Sequence, residues 1–164
     1  MIGDYDFLLA GQDEAGEILG IYQSLIGAPG CHWNQYYPDE EIVESDIERK
    51  ALYAMKDGVR IIAVVTVCDL NPLDKDMGHL TWELENPCSL ERLAVVPEFH
   101  RQGIGAIVLK KVIDLAKENG FDGIVMLVGK TSYPALGLYN KYGFEKCGET
   151  HMYGNDYYCL RMRF

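Results

Sequence analysis

Two glycines two residues apart, Gly103 and Gly105, stand at the mouth of an amphipathic run, HRQGIGAIVLKKVIDLAKENG, residues 100–120. Glycine at a helix entrance costs conformational entropy. A common reason to accept that cost is close approach of the backbone to a bound group. A helix N-terminus presents unpaired N–H groups and the positive end of the helix dipole, so the guest it favours is an anion, often a phosphate. Within the run, Ile104, Ile107, Val108, Val112, Leu115 and Ala116 make one apolar stripe at helical period, and Gly120 ends it. CSLERLAVV, residues 88–96, precedes it as a strand stopped by Pro97. GIVMLVG, residues 123–129, follows it as a continuously apolar strand buried on both faces. Strand, helix and strand in this order form a parallel crossover. The glycines then sit at the carboxyl end of its first strand, where open α/β sheets tend to bind ligands.

The flanking sequence completes a mixed sheet. DYDFLLA (4–10) reads as a short strand. Asp13 is placed to cap a helix through about Ile26, with Ile18, Leu19, Tyr22, Leu25 and Ile26 on one face. A loop rich in Gly, Pro and aromatics, GAPGCHWNQYYPD (27–39), leads to a second helix with Pro38 at its entrance and Ile42, Val43 and Ile47 inward. ALYAMKDG and VRIIAVVTVCD read as strands joined at Asp57-Gly58. NPLDKDMG reads as a loop, and TWELENP as irregular or an edge strand. After the crossover, Ser132 is placed to cap a helix with Pro134 in its first turn, ending near Tyr142-Gly143. FEKCGETHM and DYYCLRMRF close the chain as a hairpin about Gly154-Asn155. The expected fold is a single α/β (α+β) domain over residues 1–164, with no repeat or linker.

Several owners of the phosphate are weighed by motif. A nucleotide P-loop needs G-x-x-x-x-G-K-[ST], and Lys130-Thr131 lacks the glycine spacing. A dinucleotide fingerprint needs G-x-G-x-x-G, and its third position is Val108. A pair of glycines that merely eases a tight turn stays open. Net charge is −10, which argues against a nucleic-acid partner and suits a small cationic or amine-bearing substrate. Five cysteines, an odd count with no C-x-x-C spacing, argue against a disulfide framework or structural zinc, and no metal site is expected. Neither a secretory leader nor a membrane span is read from the sequence, so a cytoplasmic location without membrane association is expected.

The run L-x-R-L-A-V-x-P-E-x-H-R-Q-G-I-G-A resembles the signature of the GNAT superfamily, the acyl-CoA N-acyltransferases. The Q/R-x-x-G-x-G/A core stands here as His100 to Gly105, with His in the first position. PALGLYNKYGFEKCG, residues 134–148, resembles a second block of the same superfamily, and Tyr157 and Met162 sit where a similar closing strand lies. The resemblance runs along nearly the full chain. It implies a mostly antiparallel central sheet with a splayed parallel pair and flanking helices. The phosphate is then the pyrophosphate of coenzyme A, cradled by Arg101, Gln102, Gly103, Ile104, Gly105 and Ala106. The pantetheine arm enters the splay beside Leu93, Ala94 and Val95, one of whose N–H groups would also hold the thioester oxygen.

By the same resemblance Tyr139 is the general acid that protonates the coenzyme A thiolate. Ser132 stands where the family often has an Asn that bonds the cofactor arm. Glu91, two residues before Leu93 and read on the same strand face, is the candidate base, its other role being a surface pair with Arg92 or a lysine; His100 and His151 are spare candidates. Relatives that acetylate protein N-termini often carry a Glu where this chain has Leu127. In the family the loop between the first two helices frames the acceptor, which here brings forward Trp33, Tyr36 and Tyr37, followed by the acidic Asp39, Glu40, Glu41 and Glu44. Aromatics with carboxylates suit an amine on a flat or apolar body. The implied activity is acetyl transfer from acetyl-CoA to a primary amine, of a small molecule in the first instance. The other class that keeps the glycines is a non-catalytic acyl-CoA-binding sensor. A homodimer through the C-terminal strand, 156–164, is left open.

Overall fold

The computed structural model describes residues 4–69 and 82–164. Seven strands form one sheet in the order β1-β2-β3-β4-β5-β7-β6: β1 (Asp6–Leu9), β2 (Leu52–Asp57), β3 (Arg60–Asp69), β4 (Pro87–Val95), β5 (Gly123–Gly129), β6 (Glu145–Met152) and β7 (Asn155–Arg163). Every neighbouring pair is antiparallel except β4 and β5. The helices are α1 (Ala15–Ser24), α2 (Glu40–Glu48), α3 (Ile104–Glu118) and α4 (Tyr133–Lys141). The fold is therefore the mixed α/β architecture expected, and α3 makes the crossover from β4 to β5. The segment read as the loop NPLDKDMG lies outside the described residues, as does Thr81; Trp82 to Asn86 are irregular, as expected.

Two apolar cores lie on opposite faces of the sheet. On one, Ile104, Val108, Leu109, Val112 and Ala116 of α3 and Tyr139 of α4 pack on Met55, Val65, Leu90, Ile124 and Met126. On the other, Ile18, Ile21 and Tyr22 of α1 and Val43 and Ile47 of α2 pack on Leu52, Ala54, Ile61, Val64 and Ala94. Buried apolar surface of this kind stabilises by about 25 cal/mol per Å2. The periodicity of α2 has one surprise: Asp46 shares the inward face with Val43 and Ile47 and is 1% exposed.

Several local expectations are corrected. Asp13 does not cap α1; a 3-10 turn (Gln12–Glu14) precedes the helix, and Glu14 accepts from the Gly11 N–H at 3.0 Å. Ile26 lies beyond the end of α1 and is 41% exposed. The cap of α2 is Asp39, one residue after the Pro38 read at its entrance, and its side chain accepts from Ile42 N–H at 2.9 Å. The hairpin turns are each displaced by one residue, to Gly58-Val59 and Tyr153-Gly154. The second has positive φ at both central residues, 53° and 77°, as a type I′ turn requires. The C-terminal strand does not offer an edge for pairing across a dimer: β7 is paired on both sides, by β5 and β6, and the sheet's edges are β1 and β6.

Candidate active site

The parallel pair holds only at its start. Pro87, Cys88 and Ser89 pair with Gly123, Ile124 and Val125, and the ladder ends there. From Leu90 to Val95, β4 continues along β3 with no partner on its β5 side. The resulting gap runs toward the carboxyl ends of both strands and so toward the start of α3.

The loop that closes this end exposes backbone rather than side-chain caps. Arg101 and Gly103 both adopt left-handed φ, 62° and 76°. Gly103 is the N-cap of α3 with no side-chain cap, so the first N–H groups of the helix, at Ile104, Gly105 and Ala106, have no intrahelical acceptor. A Cβ on Gly103 would meet nothing within 4 Å; its glycine answers to φ. At Gly105 a Cβ would make only an ordinary contact with Leu138 of α4, at 3.5 Å. Gln102 is turned away, its side chain donating to the Glu98 carbonyl at 3.1 Å. His100 braces the approach, its Nε2 lying 2.7 Å from the Val95 carbonyl and therefore carrying the proton.

A bulge reshapes β4. Val64 pairs with Ala94 but Thr66 pairs with Glu91, leaving two β4 residues, Arg92 and Leu93, opposite one of β3. Arg92 carries the left-handed turn of the bulge, at φ 49°. The extra residue breaks the alternation of faces. Leu93 and Val95 pack on the α3 side, Ala94 on the α1–α2 side. Glu91 and Arg92 both turn to the α1–α2 side, where Arg92 bonds Asp46 of α2. Glu91 therefore does not share a face with Leu93, as simple alternation had it, and the bulge is the reason.

Around the bulge lies a network of buried charge that the sequence reading missed. The Asp46 carboxylate accepts from Arg49 and Arg92, the latter at 2.6 Å, and from Thr66 Oγ1 at 3.0 Å. Arg92 also donates to Glu91 at 3.2 Å and to the Tyr37 hydroxyl at 3.1 Å. Burial disfavours the Arg92 charge, but the oxygens of Tyr37, Asp46 and Glu91 outweigh it and hold the guanidinium protonated. Ser89 Oγ donates to Glu91 at 3.2 Å, and Cys68 lies near enough that Glu91, after burial itself, helps push its thiol up to about 11. The pair of Glu91 with Arg92, the structural alternative for Glu91, is present. The one sequence signal for Asp46 was its place on the inward face of α2.

The loop 27–39 spans both sides of the gap. On the β4 side it is held by Tyr37 on Arg92. On the β5 side Ser132 Oγ donates to the Gly30 carbonyl at 2.6 Å, and His32 Nε2 lies 3.1 Å from Thr131 Oγ1. Ser132 is the N-cap residue of α4 as expected, but its side chain latches this loop in place of capping the helix. Trp33 is drawn inward, edge-on to Tyr22 at 5.2 Å between ring centroids. Tyr36 is 76% exposed and Tyr37 is 42% exposed. Tyr139 lies on the α3–α4 face, edge-on to Phe144, and burial pushes its phenol up to about 12. His151 is remote from this group in bonding terms, paired with Asp156 in the β6–β7 hairpin at 2.8 Å. Among the described residues no three His, Cys, Asp or Glu side chains are grouped to hold a metal ion, and no helix is long and apolar enough to cross a membrane.

The strand pair parts after three residues, and a glycine-capped helix stands at its open end. Residues 18–144 match the model of the acetyltransferase (GNAT) family, and the chain belongs to that family. Over 60 residues it is 37% identical to N-acetyltransferase family 8 member 3 of Rattus norvegicus, which covers 37% of this chain and 26% of that protein. Over 142 residues it is 26% identical to the uncharacterized N-acetyltransferase CgeE of Bacillus subtilis, 84% of this chain and 49% of that protein. The chain thus spans about half or less of the length of these two curated relatives. Among solved structures, a GNAT-family acetyltransferase of Streptococcus agalactiae superposes with a TM-score of 0.78 at 14% identity, over 98% of this chain and 95% of that one. The ribosomal-protein-S18-alanine N-acetyltransferase of Escherichia coli gives 0.73 at 16% identity, over 98% and 94%. A Salmonella typhimurium protein solved with its cofactor acetyl-CoA gives 0.75 at 14%, over 98% and 94%. These three likenesses define the fold.

Proposed function

We propose that this chain is an N-acetyltransferase that moves an acetyl group from acetyl-CoA to a primary amine of a small molecule, by direct attack in a ternary complex. The observation that carries the reading is the gap between β4 and β5, open from Leu90 onward and leading to the unpaired N–H groups of Ile104 to Ala106. Acetyl-CoA supplies an acyl group already activated as a thioester. Its pyrophosphate suits the start of α3, where the positive end of the helix dipole and the uncapped N–H groups of Ile104 to Ala106 lie. Arg101 adds a charge beside it. Its arm suits the unpartnered side of Leu93, Ala94 and Val95, by added-strand hydrogen bonding. A β4 N–H aimed at the thioester oxygen would lower the barrier by roughly 3–4 kcal/mol.

Tyr139 would donate to the sulfur as the C–S bond breaks. Its raised pKa keeps the proton in place through neutral pH. The same shift makes complete transfer to a free thiolate, with a reference pKa of about 8.5, uphill, so hydrogen-bond donation is the larger part of its role. Glu91 is the carboxylate on the acceptor face and would receive the ammonium, taking its proton directly or through water. The loop 27–39 is pinned on both sides of the gap and carries the exposed Tyr36 and Tyr37, whose aromatic faces suit a small amine. Apolar Leu127, packed with Trp82 and Cys147, favours a small amine over a protein N-terminus. Five free cysteines agree with a cytoplasmic location.

The test is acetyl-CoA binding by calorimetry, then thiol release with tyramine, spermidine and an alanine-initiated peptide. Binding to the native chain is expected to be lost in Gly105→Glu and kept in Gly105→Ala, whose Cβ makes only an ordinary contact with Leu138. Tyr139→Phe is expected to lower kcat by about 100-fold. No acyl-CoA binding by the folded native chain would sink the reading. A kcat/KM for the peptide above both small amines would replace the small acceptor by a protein terminus.

A further inference from the structure

Arg92 occupies a position that its backbone would cede to glycine. A non-glycine residue at φ 49° carries strain of about 1 kcal/mol or more. Its guanidinium is also buried, with a side chain 11% exposed and an Nε that has no partner among the described residues. Buried ionic networks rarely add net stability over apolar packing. Strain, burial and an unmatched donor together mark an arginine kept for where it puts its charge. That charge reaches the two groups assigned to the acceptor, Glu91 on its own strand and Tyr37 on the loop 27–39. The guanidinium is in turn fixed by Asp46, whose carboxylate is 2% exposed and tied to Thr66 of β3.

We propose that Arg92, anchored by Asp46, is the positioning residue of the acceptor site: its planar fork holds the Glu91 carboxylate and the Tyr37 hydroxyl in one fixed relation beside the β4–β5 gap. The fork is the operative feature, since a lysine ammonium is a point donor that does not reproduce three fixed directions. The bulge puts Glu91 and Arg92 on one face, and α2 supplies the anchor. The acceptor therefore meets a carboxylate and a hydroxyl already set in place, and less ordering is left for the binding step. The inference rests on the acetyl-transfer reading, but the two fail differently.

Arg92→Gly and Arg92→Lys separate backbone from side chain. Glycine suits the left-handed bulge, so the acetyl-CoA affinity of Arg92→Gly is expected to stay within about threefold of native. With whichever of tyramine, spermidine and the alanine-initiated peptide the native enzyme turns over, kcat/KM is expected to fall about 30-fold, mostly through KM. Arg92→Lys is expected to recover only part of this, and it serves as the decisive variant should Arg92→Gly fold poorly. Hydrogen exchange at residues 34–38 is expected to rise in both. The proposal is overturned if acceptor KM stays within about threefold of native, or if acetyl-CoA affinity falls in parallel with it, since Arg92 would then shape the strand alone. Absence of acetyl-CoA binding by the native chain removes the acetyl-transfer reading instead. In that event the exchange data decide, and native-like protection of residues 34–38 in Arg92→Gly overturns the clamp.

Discussion

On the α3–α4 face, the loop from His100 to Ala106 offers backbone: left-handed turns at Arg101 and Gly103, unpaired N–H groups and a helix dipole over an apolar core. On the α1–α2 face, the bulge of β4 offers side chains: Asp46, Thr66, Glu91 and Arg92, bonded to one another under a loop. The first arrangement suits a group common to many reactions, because backbone N–H groups are always present and need only the right turn. The second suits a partner that differs from one protein to the next, because each contact depends on a chosen side chain. The same sheet carries both, and the parting of β4 from β5 lies between them.

The sharpest way to break this comparison is to remove the anchor of the charged face. Asp46→Ala leaves Arg92 buried beside Arg49 without the carboxylate that both bond. Breaking a buried pair by one partner typically costs about 3–5 kcal/mol, and denaturant unfolding is expected to show a loss of that size. The double variant Asp46→Ala with Arg92→Gly is expected to regain part of it, since the buried guanidinium left with only Glu91 and Tyr37 is gone. A loss for Asp46→Ala below about 1 kcal/mol would mean that water reaches the network and that it is not a buried pair at all.

The two faces differ as much in how far they can be read from sequence. The glycine loop, the stripe of α3 and the buried run of β5 follow from period and composition, and a helix capped by Gly103 needs its φ whatever the rest of the chain does. The parallel crossover follows from the order strand, helix, strand; the gap was expected only through the resemblance to the superfamily, and no local rule places β7 between β5 and β6. The bulge does not follow from any of this. Its left-handed residue is an arginine, which carries no turn signal, and one inserted residue inverts the alternation on which the placement of Glu91 relied. Ser132 shows the same limit from the other side. Its position at the start of α4 was legible, but its partner, Gly30, lies 102 residues away, and no local rule selects it.

An intermediate effect compares the faces through one tyrosine on each. Tyr22 under α2 and Tyr139 on α4 are both raised to about 12, in each case chiefly by burial; at Tyr22 Arg92 lowers the value and Asp46 raises it. The neutral phenol is thus favoured in the folded state. The unfolded chain releases the proton near pH 10, so the stabilisation is full below that pH and is lost as pH rises from about 10 to 12, by about 1.4 kcal/mol per unit for each phenol. Tyr22→Phe and Tyr139→Phe are each expected to flatten the alkaline fall in stability by one proton's worth between pH 10 and 12. Equal flattening means that the net shift is the same at both phenols; a smaller effect at Tyr22 would show that Arg92 offsets more of the burial there, and an effect of opposite sign that it outweighs burial.

The smallest expected effect concerns the seam where the faces meet. Ser132→Ala removes the 2.6 Å bond that ties Gly30 of the loop 27–39 to the start of α4. A neutral hydrogen bond of this kind contributes about 1 kcal/mol. The loop keeps its hold on Arg92 through Tyr37, so global stability is expected to move by less than that, while amide exchange rises locally at residues 28–32. Acetyl-CoA affinity separates the two roles open to this hydroxyl. The oxygen is already donating to Gly30, which leaves only its lone pairs for a cofactor arm. If latching is its work, the dissociation constant for acetyl-CoA stays within about twofold while KM for the amine rises. If affinity for acetyl-CoA falls by about fivefold or more, the serine belongs with the α3 loop as part of the backbone-and-cofactor side, and the boundary between the two modes of recognition shifts across the gap to the β5 edge.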